Sequence, residues 1–342
     1  MKRIGGLWSE ITSFPNLLLA HRRARSGKRD RDEVARFCLD LEPRLLHLRE
    51  QLLDGSWAPG PYRQFTIYDR KPRLISAAPY ADRVVHHAVV AHVEPVLDSR
   101  LHFDVYACRR GKGVHAAVDR YEGWSRRYGY VLQLDVRRYF ESVRHDVLKA
   151  EFRRHFREAP LLAVLDRLVD GFNGPVGGCG MPIGNLTSQL FANLYLNRVD
   201  HWIKGELRVP AYLRYVDDLV LLADDKGFLH EACARISERL SLIGLKLRED
   251  RRHVRRTSEK IALFGYQISR TRRWLGTGNG VRFERRLRAL SRGYSADVID
   301  FADVTASVRS WEGHAVHGET QGLRAAVFAR NPLRRAGTEG VV

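Results

Sequence analysis

Long apolar runs are missing: nowhere in the 342 residues do about 18 uncharged apolar residues follow one another, the length a membrane-spanning helix needs. No apolar stretch of signal length follows Met1-Lys2-Arg3 either, so a soluble, cytoplasmic protein with no membrane partner is expected. Cysteine is scarce. Cys38, Cys108, Cys179 and Cys233 stand far apart, with no CxxC pair and no histidines at zinc-finger spacing, which argues against a disulfide framework or a structural zinc. Acidic residues are in deficit too, 40 against 58 Lys+Arg, and the formal charge of +18 suits a polyanionic partner. What is present suffices for a fold, because 44% hydrophobic and 10% aromatic residues exclude a disordered basic tail.

Val34, Phe37, Leu41, Leu45, Leu48 and Leu52 recur at intervals of three and four, which predicts an amphipathic helical arm over 32–53, broken at Pro43. Pro59-Gly60-Pro61 ends it, and two short strands, 64–68 and 73–76, flank the Asp69-to-Pro72 turn. Val85, Val89, Val93 and Val96 predict a helix over 82–97, whose His86, His87 and His92 lack an HExxH pattern and read as structural. Val131 to Asp135 reads as a buried strand ending in an acid, with a helix starting near His145. Gly177 to Gly180 form a flexible lead into Met181-Pro182-Ile183-Gly184 and a helix over 188–199. A helix over 229–243, a strand near 245–247 and an apolar segment over 261–268 follow. Arg282, Arg285, Arg286 and Arg288, with Phe283, Leu287 and Leu290 on the same segment, predict a basic amphipathic helix that tracks a phosphate backbone.

Two apolar runs, 212–216 and 219–223, are separated only by Asp217-Asp218, so the chain reads there as a hairpin with carboxylates at its tip. A bare Asp-Asp pair is often an ordinary turn. Here the apolar flanks would leave both charges costly unless a cation neutralises them, and magnesium, a hard ion held by carboxylates plus substrate phosphates, is the simplest one. If the strand ending in Asp135 lies beside the hairpin, three carboxylates converge on a two-metal site able to activate a 3′-hydroxyl and stabilise a leaving pyrophosphate. Asp224, Asp225, Glu141 and Asp146 read as solvated acids outside that site.

Together these segments resemble a reverse transcriptase. Tyr215-Val216-Asp217-Asp218 matches the YxDD motif, and Leu134 to Phe140 is similar to the motif carrying the first metal-binding Asp and the sugar-gating aromatic. Phe264-Gly265-Tyr266 resembles the primer grip, Lys71 to Ile75 through Asp82-Arg83-Val84 the fingers motifs, and Ala107 to His115 the template-side motif. Ile183-Gly184-Asn185-Leu186-Thr187-Ser188-Gln189 is similar to the (I/V/L)GxxxSQ pattern of diversity-generating retroelement enzymes, where many reverse transcriptases carry QGxxxSP. Those enzymes copy a template RNA and misincorporate opposite its adenines.

The resemblance implies an α+β, right-hand polymerase fold: an N-terminal helical arm (1–54), fingers (55–125), palm (126–145), a fingers/palm connection (146–178), palm again (179–268) and a thumb (269–342). It implies catalysis by Asp135, Asp217 and Asp218 with two Mg2+ ions, for which Mn2+ can substitute, held by Asp135, Val136, Asp217 and Asp218. Nucleotide contacts fall to Lys71, Arg73, Phe140, Ile183, Gly184 and Gln189. Nucleic-acid contacts fall to Arg83, Arg109, Arg110, Lys112 and the four arginines from Arg282 to Arg288. The implied partners are template RNA, the RNA/DNA duplex, deoxynucleotides and a small basic accessory protein. One departure stands out: Arg248 follows Gly244-Leu245-Lys246-Leu247 where related enzymes carry Lys, and arginine is a poor proton donor, which leaves His253 as a candidate general acid. A retron-like, group II-like or antiphage-defence enzyme of ordinary fidelity is the alternative among enzymes. An RNA-binding scaffold is the alternative outside them, though binding alone needs no buried acid triplet.

Overall fold

The computed structural model describes residues 2–68, 72–172 and 174–333, so Lys71 lies outside the described residues. Four helices open the chain: α1 (Trp8–Ile11), α2 (Phe14–Ala24), α3 (Asp32–Leu39) and α4 (Leu41–Asp54). The antiparallel ribbon β1 (Arg63–Tyr68) and β2 (Pro72–Ala77) leads into α5 (Tyr80–Asp98) and α6 (Val114–Ser125). Then come β3 (Tyr130–Asp135), α7 (Tyr139–Ser142), α8 (His145–His155), α9 (Ala159–Asp170), α10 (Leu186–Gly205), β4 (Ala211–Tyr215), β5 (Asp218–Ala223) and α11 (Lys226–Ser241). The rest is β6 (Val254–Arg256), β7 (Ile261–Leu263), β8 (Tyr266–Ile268), β9 (Arg273–Leu275), α12 (Asn279–Ser295), α13 (Phe301–Ala315) and α14 (Gln321–Arg330).

The arm predicted over 32–53 is two helices, and the break falls at Asp40 rather than Pro43. Pro43 sits in the first turn of α4, where its missing N–H leaves no helical bond unmade. Helix α5 buries Val84, Val85, Ala88, Val89, Val93 and Leu97, the face its valine spacing announces. The strand expected near 245–247 is reduced to one bridge, Val136 to Leu247, because Gly244 turns left-handed before it and a 3-10 turn, Glu249–Arg251, follows it. The apolar segment 261–268 folds back on itself. Phe264 and Gly265, both at positive φ, form the two-residue loop between β7 and β8 that the twist of a hairpin favours.

Two compact units divide the chain. The first takes Met1–Gly111, Gln133–Val220 and His230–Arg252; the second takes Lys112–Leu132, Leu221–Leu229 and His253–Val342. A four-stranded sheet runs in the order β4-β5-β3-β6. In the first unit the buried face of α10, with Leu190, Phe191, Leu194 and Leu196, completes the core around β4. In the second, Phe283 and Leu287 of α12 pack with Trp311, Ala315 and Val327, and the Phe283 and Trp311 rings stack at 4.0 Å. Among the described residues, no helix is long and apolar enough to cross a membrane.

Candidate active site

Asp135, Asp217 and Asp218 line one cavity of the first unit, because β3 ends where the β4–β5 turn begins. The Val136 N–H donates to the Asp217 carbonyl at 3.2 Å, so the main chain itself sets Asp135 beside Asp217. Val216, the first turn residue, has φ 56°, a left-handed conformation that is costly for a β-branched side chain and persists only where the surroundings enforce it. The enforcement comes from Arg214 on β4, whose Nη1 donates to the Val216 carbonyl at 2.8 Å. Arg214 is wholly buried and is paired with the equally buried Asp200 of α10. Sequence reasoning passed over both residues. Their signal was an arginine inside an otherwise apolar strand, since such a charge is tolerated only with a partner.

Burial pushes the Asp217 carboxyl up to about 6, with the Asp135 charge adding to the effect. Asp218 is pushed up to about 7, again mainly by burial and then by Asp217 and Asp135. Carboxylates this reluctant to ionise side by side call for a cation, and an all-oxygen, anionic donor set fits a hard divalent ion. Among the described residues, no cluster of three acid, histidine or cysteine side chains is already gathered to hold one. The site opens into a cavity of about 1190 Å³ lined by Arg73, Asp135, Asp217, Asp218 and Arg248. Arg73 and Arg214 are the cations that oppose the rise at Asp217, and Arg251 and Arg248 those that oppose it at Asp218.

Other expected contacts fall in varied settings. Gly184 has φ 111°, and the Ile183 carbonyl accepts from the Ser76 N–H of β2 at 3.0 Å, so this segment is tied to the ribbon that carries the exposed Arg73. Gln189 is exposed on α10. Of two adjacent aromatics, Tyr139 is buried with its hydroxyl donating to the Ala192 carbonyl at 2.6 Å, while Phe140 is half-buried. Arg110 is exposed, but Arg109 is turned inward: its guanidinium bonds Asp98 and the carbonyls of His102 and Val105. Arg83, expected to meet nucleic acid, pairs with Glu33 of α3 and lies over the Tyr80 ring. Both arginines have scaffold partners that spacing alone does not reveal. Asp224 and Asp225 are exposed and accept from the Gly129 and Gly227 N–H groups, and Glu141 and Asp146 are exposed as well.

In the second unit, Arg282, Arg285, Arg286 and Arg288 are exposed on α12 opposite the buried Phe283 and Leu287. Lys112 is half-buried just before α6. Tyr266 is buried, and its hydroxyl donates to the His314 carbonyl at 2.8 Å, with the Nδ1 atoms of His314 and His115 at 2.9 and 3.2 Å.

The family profile described as reverse transcriptase (RNA-dependent DNA polymerase) matches residues 67–268, the stretch that carries all three acids. The chain belongs to the reverse transcriptase family. As a reverse transcriptase it is an RNA-directed DNA polymerase, an enzyme of template nucleic acid and deoxynucleotides. It is 25% identical over 274 residues to Protein YkfC of Escherichia coli (strain K12), covering 66% of this chain and 71% of that protein. It is also 19% identical over 172 residues to the Putative COX1/OXI3 intron 1 protein of Saccharomyces cerevisiae, covering 47% of this chain but only 20% of that one.

Proposed function

We propose that this reverse transcriptase is of the diversity-generating type, copying a retroelement template RNA with errors concentrated opposite adenines, for mutagenic retrohoming. The right-hand arrangement, with the β1–β2 ribbon in the fingers, the acids in the palm and α12 in the thumb, belongs to the same proposal. So do the accessory basic protein and the primer-grip role of Phe264-Gly265-Tyr266. Asp135, Asp217 and Asp218, with the Val136 main chain, would hold two magnesium ions, which supply charge to activate the 3′-hydroxyl and stabilise the leaving group. Arg73 meets the triphosphate and offsets its charge. Arg110, Lys112 and the α12 arginines follow the phosphate backbone. The convergence of Asp135 with the strained Val216-Asp217 turn supports the catalytic part most directly.

Ile183 supports the fidelity part. A glutamine beside the templating pair can hydrogen-bond to the substrate, an isoleucine cannot, and apolar shape differences discriminate by only roughly 10- to 200-fold. Asp217→Asn should abolish primer extension on RNA with magnesium while RNA binding stays near that of the parent; retained synthesis overturns the catalytic assignment. Complementary DNA from the parent and Ile183→Gln on one RNA, sequenced in parallel, tests the rest. An excess of errors at template adenine that the variant lowers is expected. Equal spectra point instead to an enzyme of ordinary fidelity.

A further inference from the structure

Tyr266 of β8 is 1% exposed, and three atoms of the second unit converge on its hydroxyl: the His314 carbonyl at 2.8 Å, His314 Nδ1 at 2.9 Å and His115 Nδ1 at 3.2 Å. A phenol has one hydrogen to give, and a carbonyl can only accept, so that hydrogen goes to the carbonyl. Both imidazoles must then donate Nδ1–H to the Tyr266 oxygen, which uses every bond the hydroxyl can make. The rings are themselves held. His115, at the start of α6, stacks on His317 with ring centroids 3.6 Å apart. Arg273 of β9 donates to the His317 carbonyl at 3.2 Å and pairs with Asp119 and Glu122 of α6. His314, in the last turn of α13, lies against the β7–β8 loop, where a Cβ at Gly265 would meet its Cε1 and Nε2 at 3.4 Å. Burial holds the His115 ring below the ordinary histidine range, with His317 and Arg273 adding to the effect and Asp119 opposing it.

Resting on the primer-grip reading of Phe264-Gly265-Tyr266, we propose that His115 and His314 are positioning residues for polymerisation: by clamping the Tyr266 hydroxyl they keep the Phe264-Gly265 loop in the shape that seats the 3′ end of the primer. Packing alone does not account for the cluster. A buried tyrosine needs one acceptor for its hydrogen, the His314 carbonyl supplies it, and two further donors aimed at the same oxygen exceed what burial requires. The loop needs such support, because Phe264 is held at φ 47°, a left-handed conformation that a bulky side chain keeps only where its surroundings enforce it. His115 closes the segment that resembles a template-side motif, yet its ring is spent on the primer-grip tyrosine.

Single-nucleotide incorporation by the full chain, with rates referred to active sites titrated by primer–template, tests the proposal. Tyr266→Phe removes the clamped atom and should lower the rate at least about 10-fold, and His115→Leu and His314→Leu should each lower it about threefold or more, because a small misplacement of a reacting group is costly. Nucleotide KM and primer–template affinity should stay within about twofold in all three, a split that general damage to the fold does not produce. An asparagine amide offers an N–H close to where histidine Nδ1–H stands, so His115→Asn and His314→Asn should recover most of the rate. Asparagine no better than leucine, or rates within about twofold of the parent in Tyr266→Phe and both leucine variants, would overturn the proposal. A primer ending in 2-aminopurine reads the placement of its terminus without synthesis: in the bound complex its fluorescence should change in the leucine variants and return in the asparagine ones. Equal fluorescence throughout counts against the clamp. A parent that binds primer–template but extends nothing counts against the polymerase reading instead, and the fluorescence still decides for or against His115 and His314.

Discussion

Arg214 and Asp200, neither with any solvent exposure, face each other in a bidentate pair, Nη2 to Oδ2 at 2.7 Å and Nε to Oδ1 at 2.8 Å, and the same guanidinium holds the carbonyl of Val216. Tyr212 donates to the same Asp200 oxygen at 2.5 Å, and Arg214 also bonds the Asn193 carbonyl. A buried network thus fixes the turn that presents Asp217.

Removing one partner of such a pair strands the other charge, so Arg214→Met should cost about 3–5 kcal/mol in denaturant unfolding. Adding Asp200→Leu should return much of that stability, because a buried ion pair is often replaceable by apolar residues of similar volume. Primer extension should not return with it, since Val216 has still lost its anchor. Recovery of both together would separate the network from the catalytic turn.

Gly184→Ala tests the backbone on the other side of the site. At φ 111° no L side chain is comfortable, and a Cβ there would meet Ile75 Cγ2 at 2.8 Å. A loss of roughly 1–3 kcal/mol is expected, read from the midpoint of chemical unfolding. An unchanged midpoint would mean that the segment tied to β2 can relax.

These two sites mark where legibility in the sequence ended. The Asp217-Asp218 hairpin and the α12 stripe were readable because period and polarity coincide there: apolar runs flank a polar tip, and arginines alternate with Phe283 and Leu287. Arg214, Arg109, Arg83 and Arg248 were not. The partners of the first three lie on other elements, Asp200 on α10, Asp98 on α5 and Glu33 on α3, and a spacing rule reports neighbours along one element only. Arg248 was noticed as a departure, but its grip by Asp250 depends on a 3-10 turn that no periodicity announces. Helices α2 and α6 escaped because their buried faces are built largely from small and polar residues, Asn16, Ala20, His21 and Ala24 in one and Ala117 and Ser125 in the other, whereas α9 carries Leu161, Val164, Leu165, Leu168 and Val169 at plain helical spacing.

Acid should destabilise the protein through its buried histidines. Burial above all holds His86 down to about 3, with His87 and Arg83 nearby, and holds His155 down to about 4, with Arg100 and Arg154 adding to the effect. Arg100 lies 2.8 Å from His155 Nδ1, where its N–H can donate only to an unprotonated nitrogen. Both rings are neutral when folded and take up a proton near 6.5 when unfolded, so stability is full above about pH 6.5 and drains away as pH falls from there toward 4 and 3. Melting temperatures at pH 7 and pH 5 should show the drop. His86→Leu should make it shallower, and because His86 Nε2 is buried without a hydrogen-bond partner among the described residues, should cost little at pH 7.

The proposed sugar-selecting role fits Phe140 and not its neighbour. The two rings stand edge to face at 5.7 Å, but the Tyr139 hydroxyl is committed to the Ala192 carbonyl and the residue is only 2% exposed, so Tyr139 has no surface to offer a nucleotide. Phe140 is half-buried, on the short α7 that follows the Arg138 turn at φ 48°. If its ring lies under the incoming sugar, a 2′-hydroxyl collides with it, and a smaller side chain relieves the collision. Phe140→Val should therefore raise the kcat/KM ratio of ribonucleotide to deoxynucleotide at least about 10-fold, within the range that steric pockets supply. Tyr139→Phe should leave that ratio unchanged and instead cost about 1 kcal/mol of stability, through the carbonyl of Ala192 left without its donor. A Phe140→Val enzyme no more tolerant of ribonucleotides than its parent would reduce Phe140 to packing against Tyr139, and sugar discrimination would have to be sought elsewhere along the cavity wall.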